Sequence, residues 1–202
     1  MRRVTLMALA LLLAGCGGLR SGKQVEQIYV LHVGASTPGT DPAPGVLRVA
    51  RPEVQPGLDT DHIVLTRAGN ELDYFADSRW GESLPRVLAA FATESLARSG
   101  MFQTVVAAGR GSVPSDYELL LTARHFEAEY VGSAVQAHVV FDCALITGNP
   151  RRVLGRCDAD VVEAAGENRM SDIVAALQRA AQKALGTVAA SSSALIRDSI
   201  RK

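Results

Sequence analysis

Val135-Gln136-Ala137-His138-Val139-Val140-Phe141-Asp142-Cys143-Ala144-Leu145 and, after a short gap, Val153-Leu154-Gly155-Arg156-Cys157-Asp158-Ala159-Asp160-Val161 decide the fold class. Positions 135, 137, 139, 141, 143 and 145 are Val, Ala, Val, Phe, Cys and Leu, and positions 153, 155, 157, 159 and 161 are Val, Gly, Cys, Ala and Val. An apolar residue at every second place is the pattern of a strand that buries one face. A five-residue loop over Gly148 to Arg152 would join the two runs as a hairpin. Opposed residue numbers would then sum to 300, and Cys143 would stand opposite Cys157 at a separation that a disulfide spans. The competing outcome is two buried free thiols, because a slip of one residue separates the pair.

Outward from this hairpin the alternation continues. Tyr117 to Tyr130 is a third long extended segment, but Leu119, Leu121 and Ala123 share one face whereas Phe126, Ala128 and Tyr130 share the other. A bulge near Arg124-His125 or a change of burial is required. Val25 to Val33, Val46 to Ala50 and Phe102 to Ala107 read as shorter strands, and Gly34 to Gly45, rich in proline and glycine, as an exposed loop. Ile63 to Arg67 and Glu71 to Ala76 flank Ala68-Gly69-Asn70, a hairpin turn whose Gly and Asn accept positive φ.

Two helices complete the pattern. Ser83 is a candidate N-cap, Pro85 lies in the first turn where its missing N–H costs nothing, and Gly100 follows as the C′ residue. Between them Leu84, Val87, Leu88, Phe91 and Ser95 or Leu96 recur at three and four. A closing helix from about Ser171 to about Ala194 carries Val174, Leu177, Ala181, Ala184 or Leu185, and Val188 on one stripe, with the last eight residues expected to fray. The expected fold is α+β: a mixed, largely antiparallel sheet with two helices packed on one face. The uncovered face of that sheet, where Phe126, Tyr130 and Val140 are expected, leaves self-association into a homo-oligomer open.

The N-terminus carries a different signal. Behind Arg2 and Arg3, Val4 to Ala14 is apolar except for Thr5, and Leu13-Ala14-Gly15-Cys16 follows the lipobox pattern. Eleven helical residues span about 16 Å against a bilayer core of about 30 Å, too short to cross and stay. The expectation is cleavage between Gly15 and Cys16, acylation of Cys16, a tether over 16–24 and one folded domain over 25–202. Gly17, in place of the aspartate that retains bacterial lipoproteins at the inner membrane, favours the outer membrane. In that compartment disulfides persist, which favours the Cys143–Cys157 bridge.

Composition and motifs speak against most chemistry. The chain has 21 basic and 21 acidic residues, and without Arg2 and Arg3 the balance is 19 − 21 = −2. Nothing in that distribution attracts nucleic acid. No Gly-x-Ser-x-Gly elbow is present, and Ser191-Ser192-Ser193 lies on a helix. His32, His62, His125 and His138 lack metal-site spacing along the chain, so no metal or other cofactor is expected. Gly109-Arg110-Gly111-Ser112 reads as a turn and not a phosphate loop. Asp158 and Asp160, with Arg156, read as a solvated strand face.

Residues 51–84 carry a resemblance. Gly57-Leu58-Asp59 after Pro56, Ile63-Val64-Leu65-Thr66-Arg67, Asn70-Glu71-Leu72, and Arg79-Trp80 ahead of Leu84 follow one another as in the ABC-type transport auxiliary lipoproteins, the PqiC/YmbA-like family. The chain departs from that pattern at Ser83, where many relatives carry proline, and at Ile28-Tyr29-Val30-Leu31. The resemblance implies a non-enzymatic outer-membrane lipoprotein that docks a periplasmic MCE-domain protein and its ABC permease and ATPase, in transport of lipid or other hydrophobic compounds. It makes Arg67, Asn70, Leu72, Tyr74, Arg79 and Trp80 the candidate motif or interface residues. Arg79 and Trp80 are types enriched in binding hot spots, although a tryptophan between hairpin and helix more often seals a core edge. Tyr74 and Phe75 must point to opposite faces, so one of them lies outside the helix-covered core. The alternative function is an outer-membrane lipoprotein regulator of peptidoglycan synthesis or other envelope assembly. For that role the tether over 17–24 is short, about 25 to 30 Å at full extension.

Overall fold

The computed structural model describes residues 25–35, 39, 41–67, 71–109 and 114–201. The signal segment 1–15, Cys16, the tether 17–24, the Ala68-Gly69-Asn70 turn and most of the Gly109–Ser112 turn lie outside the described residues. In chain order the strands are β1 (Gln27–Tyr29), β2 (Ala43–Val49), β3 (Glu53–Val54), β4 (His62–Arg67) and β5 (Glu71–Trp80). Helix α1 (Leu84–Arg98) follows, then β6 (Phe102–Ala107), β7 (Tyr117–Val131), β8 (Ala134–Thr147), β9 (Arg152–Ala164) and helix α2 (Met170–Ile200).

The strands form one mixed sheet that is forked and not closed into a barrel. One edge of β7 is taken up along its length by β8, which in turn pairs antiparallel with β9. The other edge accepts three short strands in succession, all parallel to it: β2 at Tyr117–Leu119, β3 at Thr122–Ala123 and β4 at Ala128–Glu129. From these the sheet branches outward, β6 beyond β2 and β5 then β1 beyond β4.

The register of β8 and β9 sets Cys143 opposite Cys157, their Cα atoms 5.0 Å apart, and the structure joins them as a disulfide. The route to that register differs from the expected one. Thr147 pairs with Arg152, so the loop runs from Gly148 to Arg151 and is one residue shorter than expected. A shift between Leu145 and Ile146, where Leu154 of β9 is the unmatched residue, restores the sum of 300.

A second bulge resolves the broken alternation of β7. The register with β8 shifts between Ala123 and His125, leaving Arg124 as the extra residue. Beyond it the phase reverses, so Phe126 and Ala128 are buried in the same layer as Leu119, Leu121 and Ala123. Phe126 therefore belongs to the helix-covered core and not to the uncovered face, and Tyr130 packs against that core as well. His125 and Glu127 take the outer face instead.

Other sequence expectations are corrected. The first strand is only Gln27–Tyr29, and Ala43-Pro44-Gly45 belongs to β2, across a register shift against β6, and not to the preceding loop. Helix α2 does not fray: it runs to Ile200, Ile196 is buried, and Arg197 donates to the backbone carbonyl of Asp41 and to Ser193 Oγ. Helix α1 matches its expected ends, with Pro85 in the first turn and Gly100 at φ +65, although Ser83 makes no side-chain capping bond.

The core lies between the inner sheet face and the two helices. Ile173, Ala176, Leu177, Ala180, Ala181, Ala184, Leu185 and Val188 line the buried stripe of α2. Near its C-terminal end the helix packs Leu195 against Gly155 of β9, where an added Cβ would lie 2.7 Å from the Leu195 methyls. At the helix margin Glu163 of β9 is held by Lys183 and Arg179 of α2. The hydrogen bond from Lys183, more than the attraction of either cation, holds the Glu163 carboxyl below its usual pKa range against the opposing effect of desolvation. No helix among the described residues is long and apolar enough to cross a membrane.

Candidate functional site

A cleft lies on the sheet face away from the helices, and the stretch 51–84 builds part of it. Beyond β3 the chain turns at Gly57, φ +96, and lays Gln55–Leu58 over the outer face of β5. Leu58 N–H donates to the Gln55 carbonyl, which closes the turn, and Tyr74 Oη donates to the Gly57 carbonyl at 3.4 Å. The backbone angle favours glycine at position 57, where an added Cβ would lie 3.0 Å from the movable Leu72 Cδ1. Between this turn, the β4–β5 hairpin and the β7–β8 ribbon opens a cleft of about 630 Å³. Gln55, Pro56, Thr66 and Leu72 line it together with His125, Glu127 and His138, and Arg67 reaches its rim from the opposite face of β4.

The six candidate residues therefore fall into different places. Leu72 lines the cleft, Arg67 reaches its rim, and Tyr74 stands beside it with 42% of its surface exposed. Leu72 is likewise 39% exposed. Arg67 pairs with Asp73 at 3.5 Å and sits 5.5 Å over the ring of Tyr130. Asn70 falls outside the described residues. Arg79 and Trp80 are elsewhere, at the far end of β5. There Arg79 pairs with Glu26 at 3.0 Å and Asp61 at 3.4 Å, fastening the chain before β1 to the loop before β4. Trp80 is only 2% exposed and meets Phe126 edge-on at 6.0 Å, so it seals the core. Of the adjacent aromatic pair, Tyr74 is the outward member, with His62 at 5.5 Å, and Phe75 packs inward near Tyr130.

Sequence spacing did not reveal one group in the cleft. His125 and Glu127 on β7 and His138 on β8 gather because β7 and β8 pair in register, Glu127 directly opposite His138. Their candidate ligand atoms all lie within 4.8 Å of one another, the one such His, Cys, Asp and Glu group among the described residues. Such a signal needs the hairpin register and the Arg124 bulge together.

The model of the ABC-type transport auxiliary lipoprotein component family matches residues 29–189, and the chain belongs to that family. This is a family of non-catalytic auxiliary lipoproteins, anchored at the outer membrane and facing the periplasm. Among solved structures, protein XCC0632 from Xanthomonas campestris is similar at 20% identity and TM-score 0.78, over 87% of this chain and 99% of that one. An uncharacterized protein aligns at 14% identity and TM-score 0.65, over 83% and 99% of the two chains. Hypothetical protein CT253 from Chlamydia trachomatis aligns at 6% identity and TM-score 0.54, over 75% and 97%. These likenesses bear on the fold alone. A comparison with curated proteins finds no match.

Proposed function

We propose that this protein is the outer-membrane docking subunit of an ABC/MCE-type system that moves lipid or another hydrophobic compound between membranes. It is held by acyl chains on Cys16, exposed by cleavage after Gly15, and it receives a periplasmic MCE-domain protein served by an ABC permease and ATPase. The supporting observation is convergence. Signature residues that no core requirement explains, Leu72 and Tyr74, stay exposed around one cleft, whereas Trp80 of the same signature is buried. A docking subunit needs no turnover. It needs an anchor, a rigid sheet at fixed height, and a surface whose weak affinity is raised by confinement to a membrane plane.

In vivo photo-crosslinking from position 72 or 74 tests the reading, with position 90, on the exposed side of α1, as the control. An adduct with an MCE-domain protein from 72 or 74 and none from 90 is expected. Adducts confined to a peptidoglycan synthase would overturn it in favour of an envelope-assembly regulator. Cys16→Ala should move the protein to the soluble periplasmic fraction, and a variant that stays on the membrane refutes the anchor.

A further inference from the structure

We propose that His125, Glu127 and His138 form a binding site for a divalent transition-metal ion of the zinc class, with Asp160 orienting His138. The site stands on its own geometry and does not depend on the docking role.

Glu127 places a carboxylate on the outer sheet face yet has only 6% of its side chain exposed. A buried carboxylate needs compensation. Its Oε2 accepts the Phe126 N–H at 2.5 Å, and its Oε1 lies 2.6 Å from His125 Nδ1. His138 Nε2 lies 3.0 Å from Asp160 Oδ1 on β9. The two imidazoles stack at 4.6 Å with planes 16° apart. Two rings, one buried carboxylate and a second carboxylate thus meet in one patch. The guanidinium groups lining the same cleft are engaged elsewhere, Arg67 with Asp73 and Arg124 with Asp142. Nitrogen and carboxylate donors thus converge with no guanidinium among them.

The Asp160 carboxylate can only accept, so it is placed to hold an Nε2–H of His138 and to leave Nδ1 as the metal-facing nitrogen. This is the carboxylate–histidine–metal arrangement that fixes ring and tautomer at metal sites. His125 would carry its ring proton on Nε2 in place of Nδ1, freeing the Nδ1 lone pair, so that it and Glu127 exchange their mutual hydrogen bond for shared coordination. For bonds of about 2.1 Å, tetrahedral donors stand about 3.4 Å apart, so the widest present separation closes by about 1.4 Å. The half-exposed His125 side chain has room for that rotation. Two imidazoles with one carboxylate select the zinc, cobalt and nickel class over calcium or magnesium, which require oxygen shells. Three protein ligands leave a coordination position for water or a group entering the cleft.

The test uses the untagged full-length lipoprotein in detergent, stripped with chelator and titrated with Zn²⁺ by calorimetry and with Co²⁺ by visible absorption. One equivalent is expected to bind, with cobalt bands showing nitrogen ligation. His125→Ala, Glu127→Gln and His138→Ala should each weaken binding by about 100-fold or more. Asp160→Asn, at an exposed position that the fold does not need, should weaken it by about 10- to 100-fold. His62→Ala should leave it unchanged, and circular dichroism of the metal-free variants checks that the sheet is intact. Absence of saturable binding at micromolar Zn²⁺, or binding that survives both His138→Ala and Asp160→Asn, overturns the proposal.

Discussion

Trp80→Ala separates a core tryptophan from an interface one. Trp80 is 2% exposed and packs edge-on against Phe126, itself 1% exposed. Burying a tryptophan removes about 150–250 Å² from water, which at about 25 cal/mol per Å² contributes about 4–6 kcal/mol. Measured aromatic truncations in cores cost about 3–5 kcal/mol, a range that includes the T-shaped packing between such rings. We therefore expect a destabilisation of about 4 kcal/mol, a large share of the roughly 5–15 kcal/mol that a domain has in total. For a chain of this size that lowers Tm by about 8–16 °C. Urea unfolding followed by far-ultraviolet circular dichroism measures it, since Trp80 is the chain's one tryptophan and its fluorescence disappears with the substitution. In the wild type the same residue should emit at short wavelength and resist acrylamide quenching. The neighbouring Arg79→Ala removes ion pairs whose side chains are more than a third exposed, so it should cost under about 1 kcal/mol. A Trp80→Ala protein within about 1 kcal/mol of wild type, or a readily quenched Trp80, would refute the reasoning.

Cys143→Ala with Cys157→Ala opens a loop of 14 residues and should cost about 2–3 kcal/mol in urea unfolding, whereas oxidised wild type should show neither thiol to a thiol reagent. Glu163 has a folded pKa below its unfolded value, so its contribution is present above the unfolded pKa and lost as pH falls through the folded one. Glu163→Gln should therefore be less stable at pH 7 but lose less on acidification below about pH 4, and identical acid-unfolding slopes would contradict this. Gly148→Ala drives a Cβ into the Ser115 carbonyl oxygen and should cost about 1–3 kcal/mol. Gly186→Ala, in open space on α2, should instead add up to about 1 kcal/mol, both read from thermal melts.

Much of the architecture was legible from period alone. The β8–β9 hairpin, the β4–β5 hairpin, both helices and the disrupted phase of β7 are local patterns of polarity, and local patterns survive without knowledge of neighbours. The short pieces were legible only in part: β1 is three residues of a longer expected strand, β3 of two residues was not foreseen, and both are set by the edges that β5 and β7 offer them. The end of α2 was misjudged because Ile196 and Arg197 are held by packing and by Asp41, far away in the chain.

By itself the sequence determined the class of fold and the family through residues 51–84, because each rests on periodicity or on residues close together in the chain; it offered Cys143 opposite Cys157 but left a one-residue slip open, and the shorter loop and the unmatched Leu154 that together set the pair came from the structure. Only the tertiary structure decided which side of the Arg124 bulge faces the helices. That choice buries Phe126, turns His125 and Glu127 outward, and lays them beside His138 under the Gln55–Leu58 turn. The reason is that one unmatched residue inverts every later side chain, and which of two such registers wins depends on what the helices and β8 can bury.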